Sequence, residues 1–269
     1  MRFRGLMVIV GLALLLAAPA GGRVLDIGFL DDTAGDGSPD ITRIEVGSHA
    51  TAVTFIVDLA NQTTLAAGQG ILVFIDSDLN LDTGSDGIDA VLGLVSDGAG
   101  LLRWNGTQFA PAESPSAYGY HHDGFRLAIA RSELGLTGDK LRFVVLTAPV
   151  ERGDFAPDDT LAEYLLANEA LTLQIAKFTA AKAVVAGRRY TATLQARRND
   201  LSELSSAGEV ACAAKVGTKK VKVTASFPTV LATCSGIVPK TAKGKELKVT
   251  VTLTLDGVRV TRTASIKVK

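Results

Sequence analysis

The sequence is poor in the residues that most often carry chemistry. Its 269 residues include two cysteines, three histidines, one tryptophan and two methionines. No serine lies in a Gly-x-Ser-x-Gly elbow, and the histidines have neither a nucleophile nor a metal-ligand partner at a recognisable spacing. We therefore expect a non-catalytic protein. A pair of carboxylates that hydrolyses glycosides is the enzymatic alternative, although the spacing singles out no two acids for that role.

Residues 1–20 predict a secretory signal peptide. Arg2 and Arg4 precede an apolar run over residues 6–18, and residues 18–20 are the small Ala-Pro-Ala of a cleavage site. The run is too short to span a bilayer and no stop-transfer pattern follows it, although a retained N-terminal anchor is the alternative. No cysteine follows the run, which argues against a lipid anchor. We expect a secreted protein, extracellular or associated with the cell envelope, without a transmembrane segment after cleavage.

Charge is divided unevenly along the chain. Residues 24–170 contain 23 acidic and 7 basic residues, a net charge of −16. Residues 171–269 contain 18 basic and 5 acidic residues, a net charge of +13. Such a change of sign indicates two modules with different surfaces, so we predict an acidic domain at 24–168 and a basic domain at 171–269.

Both cysteines, Cys212 and Cys234, fall in the basic half. A single pair of cysteines in an exported chain predicts a disulfide bond. Closing a loop of about 23 residues would then stabilise the domain by about 3 kcal/mol. Two buried free thiols are the alternative.

Short strands separated by Gly, Asp and Pro turns dominate the acidic half. Residues 71–75 form an unbroken apolar run, as expected of a strand that is buried on both faces. Further strands are predicted at 41–46, 53–57, 90–95, 101–104, 125–130 and 141–147. Many short strands without ten-residue helical periods between them predict a β-sandwich.

An alternating apolar pattern marks the basic half. Apolar residues occupy every second position from Leu247 to Leu255, and Asp256-Gly257 then supplies a hairpin turn. Further strands are predicted at 190–196, 209–214, 221–227, 231–234 and 258–268. About seven strands over roughly 99 residues is the size of an immunoglobulin-like sandwich, so the prediction for the whole chain is all-β.

The most unusual stretch is FIDSDLNLDTGSDGID, residues 74–89, which includes the end of the apolar run. It contains five aspartates and one asparagine, and no basic residue that would neutralise them. Hard oxygen donors in that number suit Ca²⁺, whereas the lack of Cys and His disfavours soft metals. We predict a structural Ca²⁺ site formed by Asp76, Asp78, Asn80, Asp82 and Asp86, with Asp89 as the alternative to Asp86. A solvated acidic loop without an ion is the other interpretation.

This stretch is not an EF-hand. Asp76, Asp78 and Asn80 match the first three ligand positions of that loop. Leu81 and Gly87, however, stand where the EF-hand has its glycine and its bidentate glutamate. No helical pattern flanks the stretch, so we expect a loop at the end of a strand.

Six segments of the acidic half carry a resemblance to a known family: 36–41 (DGSPDI), 73–80 (VFIDSDLN), 83–84 (TG), 124–131 (GFRLAIAR), 141–145 (LRFVV) and 154–158 (DFAPD). Together they are similar to the family-nine carbohydrate-binding-module-like and DOMON-like sandwiches of secreted bacterial proteins. The likeness covers roughly residues 24–168. It implies a jelly-roll-type β-sandwich with a structural Ca²⁺ held by Asp76, Asp78, Asn80 and Asp82.

The same resemblance implies a glycan ligand. Because sugars stack on aromatic faces, Trp104, Tyr118 and Tyr120 are the candidate contacts. The alternative is that Trp104 ends a strand and covers the core. Haem binding, another activity of DOMON-like domains, is disfavoured because both methionines lie in the signal peptide and only the three histidines are available as ligands.

Segments 187–190, 208–212, 232–234, 237–240 and 244–245 of the basic half resemble the immunoglobulin-like domains appended to exported bacterial proteins. The resemblance implies structure, spacing or adhesion. Nucleic acid is not expected as a partner, because few aromatic residues and no recognition motif accompany the basic charge. Adhesion to anionic cell-envelope polymers, docking onto the acidic domain and a merely solvated lysine face all stay open.

We therefore expect an exported, non-catalytic binding protein with a calcium-stabilised β-sandwich and an extracellular glycan as its partner. The alternative is a structural or adhesive cell-envelope protein that has no sugar site and contacts an anionic envelope polymer.

Overall fold

The computed structural model describes residues 24–25, 29–32, 35–112, 118–120, 124–149, 152–158, 160–201, 204–205 and 208–269. The predicted signal peptide, residues 1–20, lies outside the described residues. The chain folds as two units, Met1–Ala170 and Leu171–Lys269, called here the N-terminal and C-terminal units. In the described part of the chain, no helix has the length and apolar character needed to cross a membrane.

The N-terminal unit is built almost entirely from β-strands. Its described elements are β1 (Val24–Leu25), β2 (Phe29–Asp31), β3 (Ile41–His49), β4 (Ala52–Leu59), β5 (Gly70–Asp76), β6 (Ala90–Val95), β7 (Gly98–Trp104), β8 (Phe109–Ala112), β9 (Tyr118–Tyr120), β10 (Phe125–Ala130), α1 (Arg131–Leu134), β11 (Lys140–Ala148), β12 (Phe155–Ala156) and β13 (Ala162–Leu165).

These strands form two sheets that pack face to face. One sheet has the order β1-β13-β11-β5-β6-β7-β8, with β12 paired to β11, and the other has the order β2-β3-β4-β10-β9. Phe55 of β4 and Phe143 of β11 meet edge-to-face between the sheets, with ring centroids 5.3 Å apart, and both are fully buried. Each such side chain contributes about 2 kcal/mol by burial, so the apolar contact between the sheets holds the sandwich together.

Strand β5 lies in the middle of the larger sheet, between β11 and β6. Ile71, Val73 and Ile75 point into the core between the sheets. Leu72 and Phe74 point to the opposite side, where they join a second apolar cluster. The unbroken apolar run is therefore explained by a strand that buries both of its faces.

The C-terminal unit consists of strands that are more exposed, and it contains the three longest described strands, β16, β21 and β22. Its elements are β14 (Leu173–Ala180), β15 (Ala183–Val184), β16 (Arg189–Arg198), β17 (Glu209–Val216), β18 (Lys219–Lys220), β19 (Val223–Ser226), β20 (Ala232–Ile237), a 3-10 turn (Lys240–Ala242), β21 (Glu246–Leu255) and β22 (Val258–Val268).

Two sheets form an immunoglobulin-like sandwich in this unit. Their strand orders are β14-β16-β20-β19 and β15-β22-β21-β17-β18. The first strand of the unit is split between them, because β14 pairs antiparallel with β16 whereas β15 pairs parallel with β22. Two mainly antiparallel sheets of this size packed over an apolar core, joined by connections that cross between them, are the immunoglobulin-type arrangement. The prediction of an all-β chain made of β-sandwiches is confirmed.

The predicted disulfide between Cys212 and Cys234 is confirmed as well. Cys212 lies on β17 and Cys234 on β20, so the bond joins the two sheets, with Cα atoms 5.6 Å apart. Antibody domains instead join the second strand to the sixth. The corresponding strands here are β16 and β21, and their inward side chains, including Leu194 and Val251, are apolar and fully buried.

Candidate metal site at the end of strand β5

The acidic stretch forms the loop of the β5–β6 hairpin. The last residue pair of that hairpin is Ile75 with Ala90, and the Asp89 N–H donates to the Ile75 carbonyl at 2.9 Å. Asp76 directly follows this pair on one strand and Asp89 directly precedes it on the other. Antiparallel pairing therefore brings two acids from opposite ends of the stretch side by side.

Three carboxylates meet at this point. Asp76, Asp78 and Asp89 each offer one oxygen, and these three oxygens lie within 4.8 Å of one another. Asp76 is fully buried, and the other two are half-buried. Three negative charges this close repel one another strongly in a partly buried setting, so a bound cation would stabilise the arrangement.

The Asp76 carboxylate is only partly satisfied by the protein. Its Oδ1 accepts a hydrogen bond from the Leu79 N–H at 2.7 Å, whereas its buried Oδ2 accepts none. Arg142, the residue opposite Asp76 on β11, places Nη1 3.7 Å from that Oδ2. Burial raises the pKa of Asp76, although the Leu79 N–H and the Arg142 charge both oppose the rise. A buried, half-satisfied carboxylate is costly when ionised unless further positive charge lies beside it.

The other two carboxylates are held by the loop itself. Ser77 donates to Asp89 Oδ2 through its N–H and its hydroxyl, both at 2.8 Å. The Thr83 hydroxyl donates to the Asp78 carboxylate at 3.0 Å, and the Asn80 N–H donates to Asp78 Oδ1 at 2.9 Å. These hydrogen bonds fix the orientation of both carboxylates within the loop.

The remaining predicted ligands are not part of this group of three acids. Asn80, Asp82 and Asp86 are all exposed, and the Asn80 side-chain oxygen accepts from the Asp82 N–H at 3.1 Å. The structure thus brings together two of the five predicted residues, Asp76 and Asp78, and adds Asp89. The reason is that Leu79 adopts a left-handed conformation with φ of 61°, which ends the alternation of an extended strand.

The loop returns to β6 through a tight turn that needs glycine. Gly84 has φ of 66°, and a Cβ at this position would lie 2.2 Å from the Ile88 carbonyl oxygen. That carbonyl accepts a hydrogen bond from the Ser85 N–H at 2.9 Å. This close approach lets the chain fold back and places Asp89 immediately before β6.

Together, these observations describe a donor set for a hard divalent cation. Three carboxylates would supply charged oxygens to a Ca²⁺ ion, which takes six to eight ligands at about 2.3–2.6 Å, and carbonyl and water oxygens would supply the rest. No cysteine or histidine lies in the loop, so the donors do not suit a soft metal.

A second cluster of acidic residues lies around Asp154, which makes hydrogen bonds that stabilise the fold. The Asp154 carboxylate lies within 4.8 Å of carboxylate oxygens of Asp32 and Asp158, and likewise of Asp36 and Asp40. Its buried Oδ2 accepts from the Ile41 N–H at 2.6 Å, and its own N–H donates to the Thr147 hydroxyl at 2.8 Å. Burial raises the pKa of Asp154 to about 6. Asp154 therefore ties the start of β3 to the end of β11.

The predicted sugar contacts fall in different sheets. Trp104 ends β7 in the larger sheet, where its half-buried indole packs edge-to-face on Phe109 with ring centroids 5.3 Å apart. The backbone N–H of Trp104 donates to the Asp89 carbonyl at 2.9 Å. Tyr118 and Tyr120 lie on β9 of the smaller sheet, and their side chains are outside the described part of the structure.

Comparisons with known proteins give neither a family nor a curated relative. No known family matches the chain, and no curated protein matches it. One similar solved structure is a chimeric titin Z1Z2 carrying a decorin peptide, at 10% identity and a TM-score of 0.33, covering 82% of this chain and 91% of that one. Another is titin Z1Z2 in complex with telethonin, at 12% identity and a TM-score of 0.30, covering 83% and 89%. Similarity this low adds nothing on function, and the family resemblance of the N-terminal unit stays a prediction.

Proposed function

We propose that the N-terminal unit is a calcium-stabilised β-sandwich in which Asp76, Asp78 and Asp89 hold one structural Ca²⁺. The observation that carries this proposal is the fully buried Asp76 carboxylate, whose Oδ2 accepts no hydrogen bond. Arg142 supplies one positive charge near three carboxylates, so the group keeps a negative excess that favours a divalent cation.

The position of the site explains why an ion would act on stability. Asp76 belongs to β5, and Asp89 adjoins β6 in the same sheet. An ion bound by both would tie together the two strands and the intervening loop. A ligand that binds only the folded state at 100 times its Kd stabilises that state by about 2.7 kcal/mol.

For the whole chain, we propose an exported, non-catalytic protein with a structural or adhesive role at the cell envelope. The Cys212–Cys234 disulfide supports export, because disulfides persist in oxidising compartments. Trp104 is half-buried and packs edge-to-face on Phe109, as expected of a side chain that covers the end of a strand rather than of an open sugar-stacking surface. For this reason we favour a structural or adhesive role at the cell envelope over glycan recognition, although the sequence resemblance implies a glycan ligand.

Calorimetric titration of the chelator-treated protein with CaCl₂ tests the calcium proposal. We expect saturable binding of one ion and a higher melting temperature in the presence of Ca²⁺. Neither heat nor a change in melting temperature would show that the stretch is a solvated acidic loop. MgCl₂ serves as the comparison, because Mg²⁺ demands near-octahedral geometry and gives up its water reluctantly.

A further inference from the structure

One outward side of the C-terminal sandwich combines positive charge with an absence of acids. The sheet β14-β16-β20-β19 contains no Asp or Glu in its four strands. Lys177, Arg189 and Arg197 are exposed on this sheet. Arg198 faces the other way, is buried, and donates from Nε to Asp200 Oδ1 at 2.8 Å.

Between these cations the sheet carries hydroxyl side chains in two rows. On β16 the residues that alternate with the hydroxyls, such as Ala192 and Leu194, are fully buried, so the hydroxyls point outward. The pairing register continues each row across the neighbouring strands, because paired residues of antiparallel strands share a face. The first row is Thr179, Thr193, Thr233 and Ser226, and the second is Thr191, Ser235 and Thr224.

We call these seven hydroxyls together with Lys177, Arg189 and Arg197 the hydroxyl face. Neighbouring strands lie about 4.8 Å apart, so each row repeats a hydroxyl at about that interval. Arg189 is the first residue of β16 and Arg197 is its second-last residue, and at about 3.3 Å per residue they lie about 26 Å apart. Arg189 Nη1 also donates to the Ser235 hydroxyl at 3.4 Å.

The opposite sheet of the same unit provides a contrast. Its outward hydroxyls pair with one another, Thr250 with Thr263 and Thr252 with Thr261, each at 2.9 Å. This sheet also carries acidic residues, and Lys248 Nζ lies 3.9 Å from Glu246 Oε2. Within the described residues, the three cations of the hydroxyl face form no ion pair, so their charge is left for a partner.

We propose that the hydroxyl face binds a linear polymer that carries repeating phosphate groups. Arg recognises phosphate through paired N–H donors, and hydroxyl groups donate to the remaining phosphate oxygens. A single small anion would reach one end of the face, whereas a polymer spans the distance between Arg189 and Arg197. The proposal does not depend on the calcium site, which lies in the other unit.

Binding of the full secreted chain to immobilised long-chain inorganic polyphosphate tests this proposal. A variant with Lys177→Gln, Arg189→Gln and Arg197→Gln should lose at least about tenfold in affinity at about 50 mM NaCl. The matched control carries Lys215→Gln, Lys248→Gln and Arg259→Gln on the opposite sheet, and it has the same net charge. We expect this control to retain its affinity within about twofold.

A second variant separates hydroxyl contacts from charge. Thr193→Val and Thr233→Val keep the shape and the net charge of the face but remove two central hydrogen-bond donors. We expect a loss of about threefold to tenfold, with the melting temperature unchanged, because both residues point outward.

Three results would overturn the proposal. Equal losses in the two triple variants would mean that only net charge matters. Equal binding of poly-L-glutamate would mean that phosphate is not recognised. The third result would come from sedimentation velocity of the protein alone, without polymer, which measures whether it dimerises. A salt-sensitive dimer that the Lys177, Arg189 and Arg197 variant abolishes would identify the acidic unit of a second copy as the partner.

Discussion

Asp76 and Asp89 lie on either side of the last residue pair of the β5–β6 hairpin, and this is why their carboxylates meet. Asp78 reaches the same point because the loop turns sharply at Leu79. The group is thus a product of strand register and one backbone conformation. The proposed role of the group as a cation site rests on that geometry.

Replacing one acid of the group should remove the response to calcium. Asp89→Asn keeps an oxygen acceptor for Ser77 but removes the charge, so we expect at least a tenfold loss of Ca²⁺ affinity. Asp86→Asn, a neutralisation in the same loop at an exposed residue, is the matched control and should leave binding within about twofold. Calorimetric titration measures both. Equal losses would indicate that the loop binds cations diffusely.

Arg142 should matter most when calcium is absent. Arg142→Met removes the positive charge nearest Asp76 Oδ2, so the buried carboxylate of the metal-free protein loses its counter-charge. We expect a loss of about 2 kcal/mol in the free energy of unfolding without calcium, and a smaller loss with calcium. Urea titrations under both conditions measure the difference. A loss that calcium does not change would argue against an ion beside Asp76.

Asp154 should make stability depend on pH. Burial raises its pKa in the folded protein to about 6, above the ordinary value near 4. The folded state therefore binds this proton more tightly, and the free energy of unfolding falls as pH rises from about 4 through about 6. The decrease attributable to this group is up to about 3 kcal/mol.

The variant Asp154→Asn isolates that contribution. It retains an oxygen that can accept from the Ile41 N–H, and it lacks the charge that burial disfavours. The gap between the unfolding free energies of variant and wild type should widen in favour of the variant as pH rises from about 4 to 7. Asp97→Asn, at an exposed residue outside the acidic groups around Asp154, is the control and should leave the gap constant with pH. A constant gap would show that Asp154 titrates normally.

Breaking the disulfide should affect the C-terminal unit alone. The double variant Cys212→Ala and Cys234→Ala removes a covalent link between the two sheets of that unit. We expect a loss of about 3 kcal/mol in the unfolding of the C-terminal unit. Calcium binding to the N-terminal unit should be unchanged, which calorimetry on the same sample checks.

Trp104→Ala tests the glycan hypothesis directly. Because the indole packs on Phe109, we expect a loss of stability of about 2 kcal/mol or more in the N-terminal unit. On a glycan array we expect no strong binding by the wild-type protein. Strong binding that Trp104→Ala abolishes, with the fold intact, would instead favour glycan recognition over the envelope role.

Several features of the fold could be predicted from local sequence patterns. The alternation from Leu247 to Leu255 corresponds to β21, whose inward residues Leu247, Val249, Val251 and Leu253 are fully buried. The apolar run 71–75 lies within β5. These patterns predict strands because the side chains of an extended strand alternate between two faces.

The candidate metal site could be predicted only in part from the sequence. Asp76 and Asp78 stood out because they follow a buried strand, but local spacing favoured Asp82 and Asp86 over Asp89. Which acids meet depends on the register of β5 with β6, and that pairing is not a property of neighbouring residues.

Composition and alternation alone predict the class of fold, the disulfide pair and the concentration of acids after β5, because these are properties of neighbouring residues. Which carboxylates meet at one point, and which hydroxyls of four strands form the hydroxyl face, follow from the three-dimensional fold. Both depend on contacts between distant segments, and strand pairing sets those contacts.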